Sequence, residues 1–270
     1  MTYLSNRLFQ FLLIITISHL ACDSPNKATP TEEHSWSNST IYGNIEKALQ
    51  EREKVQVIET IKPMLLDSLI AFPNLKSLRL SYYKEDTVFR ALPALPELQH
   101  LSISLDTRDR LTNLSVLNAV SKMTKLQSLN LHLSDLVLAE EEHFQLLQQL
   151  QELDLGVVNA PLPASIYTLT TLKRLVLAGN VNSLSTDLGN LTNLETLYIS
   201  GNGGLKEFPA SIGQLSKLKA IYAASESISF LPASFEKLQN LKTLYLVGNP
   251  ISEEQITAIR TALPNCTVEY

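Results

Sequence analysis

Apolar side chains return in a fixed block, Leu-x-x-Leu-x-Leu, along most of the chain. The blocks begin at Leu75, Leu98, Leu126, Leu150, Leu172, Leu194, Leu218 and Leu241, spaced by 23, 28, 24, 22, 22, 24 and 23 residues. Ile103, Ile199, Ile221 and Ala223 stand at apolar positions otherwise held by Leu. The last three positions of each block alternate apolar, variable, apolar, which is the period of a strand with one buried face. Val55-Gln56-Val57-Ile58 reads as a ninth, degenerate block ahead of the others. A strand and its return cannot bury an apolar face alone, so units of this length must stack on one another.

Between blocks the later units carry a second signature. Leu162-Pro163-x-x-Ile166-x-x-Leu169, Phe208-Pro209-x-x-Ile212-x-x-Leu215 and Leu231-Pro232-x-x-Phe235-x-x-Leu238 share one pattern. Together with the blocks, over residues 55–250, it resembles the leucine-rich repeat family, in its LPxxIxxLxxL subtype. The resemblance implies an α/β fold: a curved solenoid with a parallel concave sheet and a helical or irregular convex side. It also implies a buried asparagine at Asn180, Asn202 and Asn249, whose amide bonds stranded backbone groups of the adjoining coil. The pattern breaks at Glu226, where Asn is expected, and at Tyr83, Asp106, Ser134 and Val158. The longer inserts Asp109 to Met123 and Asp135 to Leu147 predict true helices on the convex side of the early units.

A stack of coils needs its ends covered. At the front, residues 41–54 are expected to form a cap helix, from Ile45 to about Glu53 with Asn44 as N-cap. At the back, over residues 251–270, Ser252-Glu253-Glu254-Gln255 reads as a capping box opening a helix that stops before Pro264. A final strand, Thr267 to Tyr270, would close the sheet.

The amino-terminal segment follows different rules. Arg7 precedes an apolar run from Leu8 to Ile17, about half the length needed to span a bilayer and right for the core of an export signal. Ser18-His19-Leu20-Ala21-Cys22 then resembles the lipobox of bacterial lipoproteins, implying cleavage of residues 1–21 and acylation of Cys22. The protein is thus expected on the bacterial cell envelope, in the outer membrane or at the cell surface, held to the membrane by a lipid anchor. Secretion after ordinary cleavage is the alternative. Asp23 to Thr40 contains no Leu, Ile, Val, Met or Phe and reads as a flexible tether following Cys22, with a reach of about 25 Å.

Composition narrows the function. Leucine accounts for 50 of 270 residues, against 9 Gly and 12 Pro, which excludes collagen-like and linker-dominated chains. A net charge of −5 gives no electrostatic footprint for nucleic acid. Two cysteines, Cys22 and Cys266, cannot build a disulfide framework or a structural zinc site, and Cys266 reads as a small buried hydrophobe. The sequence holds no Gly-rich phosphate loop, GxSxG or HExxH motif. No cofactor, metal ion or catalytic residue is expected.

The variable position of each block faces outward on the concave side. Along the repeats that column reads Arg79, Ser102, Asn130, Asp154, Val176, Tyr198, Tyr222, Tyr245. Its three tyrosines form a predicted ladder about 10 Å long, given strands about 4.8 Å apart. Tyrosine joins a large apolar area to a hydrogen-bonding tip, which suits a binding surface. Asn130, His132, Glu152, Asp154 and Arg174 form a second, polar cluster beside the ladder. The expected function is a non-catalytic module recognising a protein or peptide through this face. A glycan stacking on the same tyrosines is the alternative ligand, and an enzyme built on the polar cluster is the third reading.

Overall fold

Each Leu-x-x-Leu-x-Leu block is a strand, and consecutive strands lie side by side in parallel. The computed structural model describes residues 41–42, 52–53, 55, 57–60, 71–81, 92, 95, 97–105, 110–136, 143–158, 162–201 and 203–270. Cys22, the tether, Asn202, Tyr83, Asp106 and all of the expected cap helix except its last turn around Arg52 and Glu53 lie outside them. Among the described residues one sheet of 11 strands runs in strict chain order. It comprises β1 (Ile41–Tyr42), β2 (Val57–Thr60), β3 (Ser77–Ser81), β4 (His100–Leu105), β5 (Ser128–Leu136) and β6 (Glu152–Val158). It continues through β7 (Arg174–Gly179), β8 (Thr196–Ser200), β9 (Ala220–Ala224), β10 (Thr243–Tyr245) and β11 (Thr267–Glu269). The degenerate block is β2, and β1 extends the sheet by one short strand beyond it.

Register follows the leucines. Leu153, Leu175 and Leu197 are directly paired across β6, β7 and β8, as are Leu155, Leu177 and Ile199. All six are buried in one continuous core that runs from Val55 to Val268. The backbone locks each coil to the last at the strand entry. The carbonyl of Gln151 accepts from the amides of Lys173 and Arg174, that of Lys173 from Glu195 and Thr196, and that of Glu195 from Lys219 and Ala220.

The Pro-containing signature forms short 3-10 turns. These are Ala164–Thr168, Ala210–Gln214 and Ala233–Lys237, with a fourth at Thr186–Asn190. Pro163, Pro209 and Pro232 precede three of them with φ of −65°, −66° and −63°, the value the pyrrolidine ring imposes. The fourth has Ser185 instead, whose hydroxyl accepts from the Asp187 amide at 3.1 Å. A true helix, α1 (Arg110–Val120), fills the first long insert. In the second insert the described stretch from His143 to Leu147 is turn rather than helix.

The asparagine column is only partly as expected. Asn249 fills the role: Nδ2 donates to the Ala223 and Leu246 carbonyls at 2.6 and 2.8 Å, and Oδ1 accepts from the Ile228 amide at 3.0 Å. Asn180 is exposed rather than buried. Gly179 adopts φ +119°, a turn that places Val181 in the core instead. A second asparagine column, not apparent from the apolar pattern, lies just before the strands. Asn74, Asn193 and Asn240 donate to the carbonyls of Glu53, Thr170 and Ser216 at 2.8, 2.7 and 2.8 Å, each in the preceding coil.

The carboxyl end closes as a helix and strand. In α2 (Glu253–Ala262), Ser252 Oγ accepts from the Gln255 amide at 3.4 Å, and Ile256 and Ile259 are buried against the last coil. The reciprocal half of the expected capping box is not made. The Gln255 side chain turns to the preceding coil, accepting from the Leu231 amide at 2.9 Å and donating to the Ser229 carbonyl at 3.2 Å. Cys266 is half-buried against the core, and burial pushes its thiol up to about 11, with Lys242 opposing.

Candidate functional site

The sheet brings Tyr198, Tyr222 and Tyr245 into direct register on β8, β9 and β10. Flanking residues on each strand, such as Leu197 and Ile199, are buried, so strand alternation turns the tyrosines to the opposite, concave face. Ring centroids are 5.6 Å apart between Tyr198 and Tyr222 and 6.4 Å between Tyr222 and Tyr245, with interplanar angles of 33° and 42°. The rings are therefore tilted against each other rather than stacked shut, and each is half-exposed. Ala220, Ala224, Thr196 and Thr243 supply a low floor around them. Burial raises the Tyr198 phenol above its ordinary value, the Tyr245 and Tyr222 phenols add to the effect, and Arg174 works against it. Tyr198 thus keeps its proton at neutral pH and stays a donor.

The register carries the column one strand further than sequence spacing showed. Glu269 on β11 stands opposite Tyr245 and is exposed, so the row ends on a carboxylate. The block rule missed it because β11 lies in the cap and has only one apolar residue, Val268, to mark its phase. On the other side Val176 occupies the same column but is buried between its neighbours, so it is floor rather than contact surface.

The polar cluster assembles as a hydrogen-bonded patch on β5 to β7. His132 Nε2 lies 3.1 Å from Asp154 Oδ1, and Asn130 Nδ2 donates to Asp154 Oδ2 at 3.3 Å. Ser128 Oγ donates to Glu152 Oε2 at 3.2 Å. His132 lies over Gly156, where a Cβ would come within 2.6 Å of the ring, so only glycine allows this imidazole position. Arg174, next to Glu152 in register, is exposed and makes no ion pair among the described residues. Its charge acts on the Tyr198 phenol. Asp154 and His132 keep 23 % and 32 % of their side-chain surface in solvent, so the pair sits on an open face without an enclosing cleft. Among the described residues no group of three His, Cys, Asp or Glu side chains gathers in a way that suits a metal ion.

Comparison with known proteins agrees with this architecture. A family model described as a leucine-rich repeat region matches residues 164–263. Over 165 residues the chain is 31 % identical to the volume-regulated anion channel subunit LRRC8A of Homo sapiens and 30 % identical to that of Rattus norvegicus. The match covers 60 % of this chain and 20 % of each relative, so the chain spans about a fifth of their length. Among solved structures, it resembles the leucine-rich repeat ectodomain of the receptor kinase GASSHO1/SCHENGEN3 from Arabidopsis thaliana, solved with CASPARIAN STRIP INTEGRITY FACTOR 2. That TM-score is 0.61 at 22 % identity, covering 82 % of this chain and 28 % of the other. TLR13, solved as a complex with ssRNA13, gives a TM-score of 0.54 at 21 % identity over 80 % of this chain and 36 % of the other. The repeat blocks, the strand register and these matches lead to one assignment: the chain folds as a leucine-rich repeat solenoid, and residues 164–263 match that family's own model.

Proposed function

We propose that this protein is a non-catalytic binding module of a bacterial cell envelope, lipid-anchored through Cys22, that recognises a protein or peptide on its concave face. The observation that carries the reading is the row of three half-exposed tyrosines in one register, on three adjacent strands with low neighbours. Aromatic residues of this kind dominate binding energy where they can be desolvated, and a rigid sheet holds them at no conformational cost to the bound state. The fold supports it as well, since leucine-rich repeat solenoids generally act as binding modules. The envelope setting rests on the export signal and on the lipobox-like stretch before Cys22.

The test joins affinity to stability. The full chain, extracted in detergent, is used to capture partners from intact envelopes beside a variant with Tyr198, Tyr222 and Tyr245 all changed to Ala. Outward side chains contribute little to the core, so the melting midpoint should stay nearly unchanged, each truncation costing within about 0.5 kcal/mol. Capture should be lost, because each buried tyrosine at a binding centre is worth about 1–2 kcal/mol or more. Equal capture by the variant would move the site away from the tyrosines. Loss of capture that soluble sugars reproduce would make the ligand a glycan.

A further inference from the structure

The tyrosine row is bounded by unlike charges. At one end Arg174 on β7, which pairs with Thr196 two residues before Tyr198, acts electrostatically on the Tyr198 phenol, and at the other Glu269 on β11 stands opposite Tyr245. Both are exposed, and neither makes an ion pair among the described residues. At the strand entries between them Lys219 and Glu195 are engaged with each other, at 2.6 Å.

The spacing has a direct chemical reading. An extended peptide sets alternate side chains on one face about 6.6–6.8 Å apart. The tyrosine ring centroids stand 5.6 and 6.4 Å apart, close enough for neighbouring rings to touch, so an extended peptide crossing the strands can lay alternate side chains over successive ring–ring contacts. From β7 to β11 is four strand spacings, about 19 Å, and the two-residue offset of Arg174 from the tyrosine row lengthens the diagonal to about 20 Å. Six residue steps of extended chain cover about 20 Å, so a seven-residue segment reaches both charges. We infer that the preferred ligand is an extended seven-residue segment with small apolar side chains at its third and fifth positions. It carries one acidic end residue, placed at Arg174, and one basic end residue, placed at Glu269. Arg174 and Glu269 then select ligand sequence, while the tyrosines supply the apolar contact. This rests on the reading of the concave face as a peptide surface and specifies what that surface selects.

The experiment is an array of acetylated and amidated heptapeptides with Val at positions three and five and Ser at the even positions. Positions one and seven are Asp and Lys in either order, Asp and Asp, Lys and Lys, or Asn and Asn. The array is probed with the labelled full chain in detergent. Peptides with one Asp and one Lys end should retain about fivefold more protein than any other class, and salt should erase the difference. Glu269→Lys should transfer the preference to the peptides with Asp at both ends. A profile indifferent to end charge, or one that Glu269→Lys leaves unchanged, overturns the inference, as does retention of no peptide class. Tyr222→Ala separates this failure from that of the docking surface itself. Retention that ignores end charge but falls in Tyr222→Ala keeps the peptide surface and removes the charge selection. Retention insensitive to both substitutions removes the concave site altogether.

Discussion

Glu226 stands where the repeat calls for a buried asparagine, and its carboxyl replaces part of that amide's bonding. In the next coil Asn249 both donates to carbonyls and accepts from the Ile228 amide. Glu226 occupies the equivalent place, 5 % exposed, with Oε2 accepting from the Leu205 amide at 3.1 Å. Its Oε1 is buried and meets full hydrogen-bond geometry with no group among the described residues, although the Gly201 and Gly204 amides lie close to the carboxyl. An ionised carboxylate can only accept, whereas a carboxylic acid accepts with one oxygen and donates from the other, as an amide does. Burial raises the Glu226 carboxyl above its ordinary 4.5, while the amides of Leu205, Gly201 and Gly204 work in the other direction. The folded protein therefore holds this proton more tightly than the unfolded chain does. Its stabilising contribution is full below 4.5 and fades as pH rises through the raised value. Glu226→Gln keeps the shape and removes the titration. Its melting midpoint should match the wild type in acid and exceed it increasingly as pH approaches about 7. A difference between the two proteins that stays constant over that range would show that Glu226 does not titrate differently on folding. Spacing alone marked Glu226 as a break in the asparagine column; the buried oxygen that explains its chemistry appears only when the coils are stacked.

Strands were the most legible elements, because each of the eight blocks repeats the same inward leucines and any slip of one residue would turn them to solvent. The paired burial of Leu153, Leu175 and Leu197 follows directly from that repetition. Leu175, in the middle of the array with a strand on each side, provides the test. Leu175→Ala should lower the unfolding free energy by about 2–5 kcal/mol, read as a lower urea midpoint, since a closely packed core collapses only partly around the lost atoms. An unchanged midpoint would mean that the strand phase is wrong. Elements with few alternations were harder to read. The two-residue β1 and three-residue β11 carry too little pattern to show their phase, which is why Glu269 escaped the outward column. Side chains that bond backbone across coils, Asn193, Asn240 and Gln255 among them, were also hidden. Their role depends on which carbonyl or amide the neighbouring coil presents, and the apolar period carries no record of that. The candidate site lay between these cases. Its tyrosines were legible as a column, and His132 and Asp154 as members of a polar cluster, whereas the His132–Asp154 contact, the burial of Val176 and the space that Gly156 leaves for His132 depend on packing across strands.

At the scale of the whole molecule, a solenoid is a one-dimensional stack in which each coil touches only its neighbours, so its exposed inner face is long and its ends need separate covers. The α2 helix and β11 form the rear cover, held by Arg260, whose Nη2 donates to the Val268 carbonyl at 3.1 Å and whose guanidinium lies 5.1 Å from the Tyr270 ring centroid. The proposed envelope role requires that the chain be kept at the membrane, and in that proposal the requirement falls on Cys22. Each buried methylene of an acyl chain contributes about 0.8 kcal/mol; one chain binds only marginally, while several on one residue hold firmly. Among the described residues no helix is long and apolar enough to cross a membrane; the proposed lipid attachment rests on the lipobox-like stretch before Cys22. In a bacterial host that processes lipoproteins, the wild-type chain should appear at mature size in the membrane fraction and remain there through a high-salt wash, which removes proteins held by charge alone. Cys22→Ser should be released to the soluble fraction or accumulate at precursor size, with its signal segment uncleaved. Mass spectrometry of the mature amino terminus supplies the independent reading, a Cys22 carrying fatty acyl chains. Equal processing and membrane retention of Cys22→Ser would contradict the anchor. A wild-type protein found soluble and beginning at an unmodified Cys22 would show instead that the segment directs simple secretion.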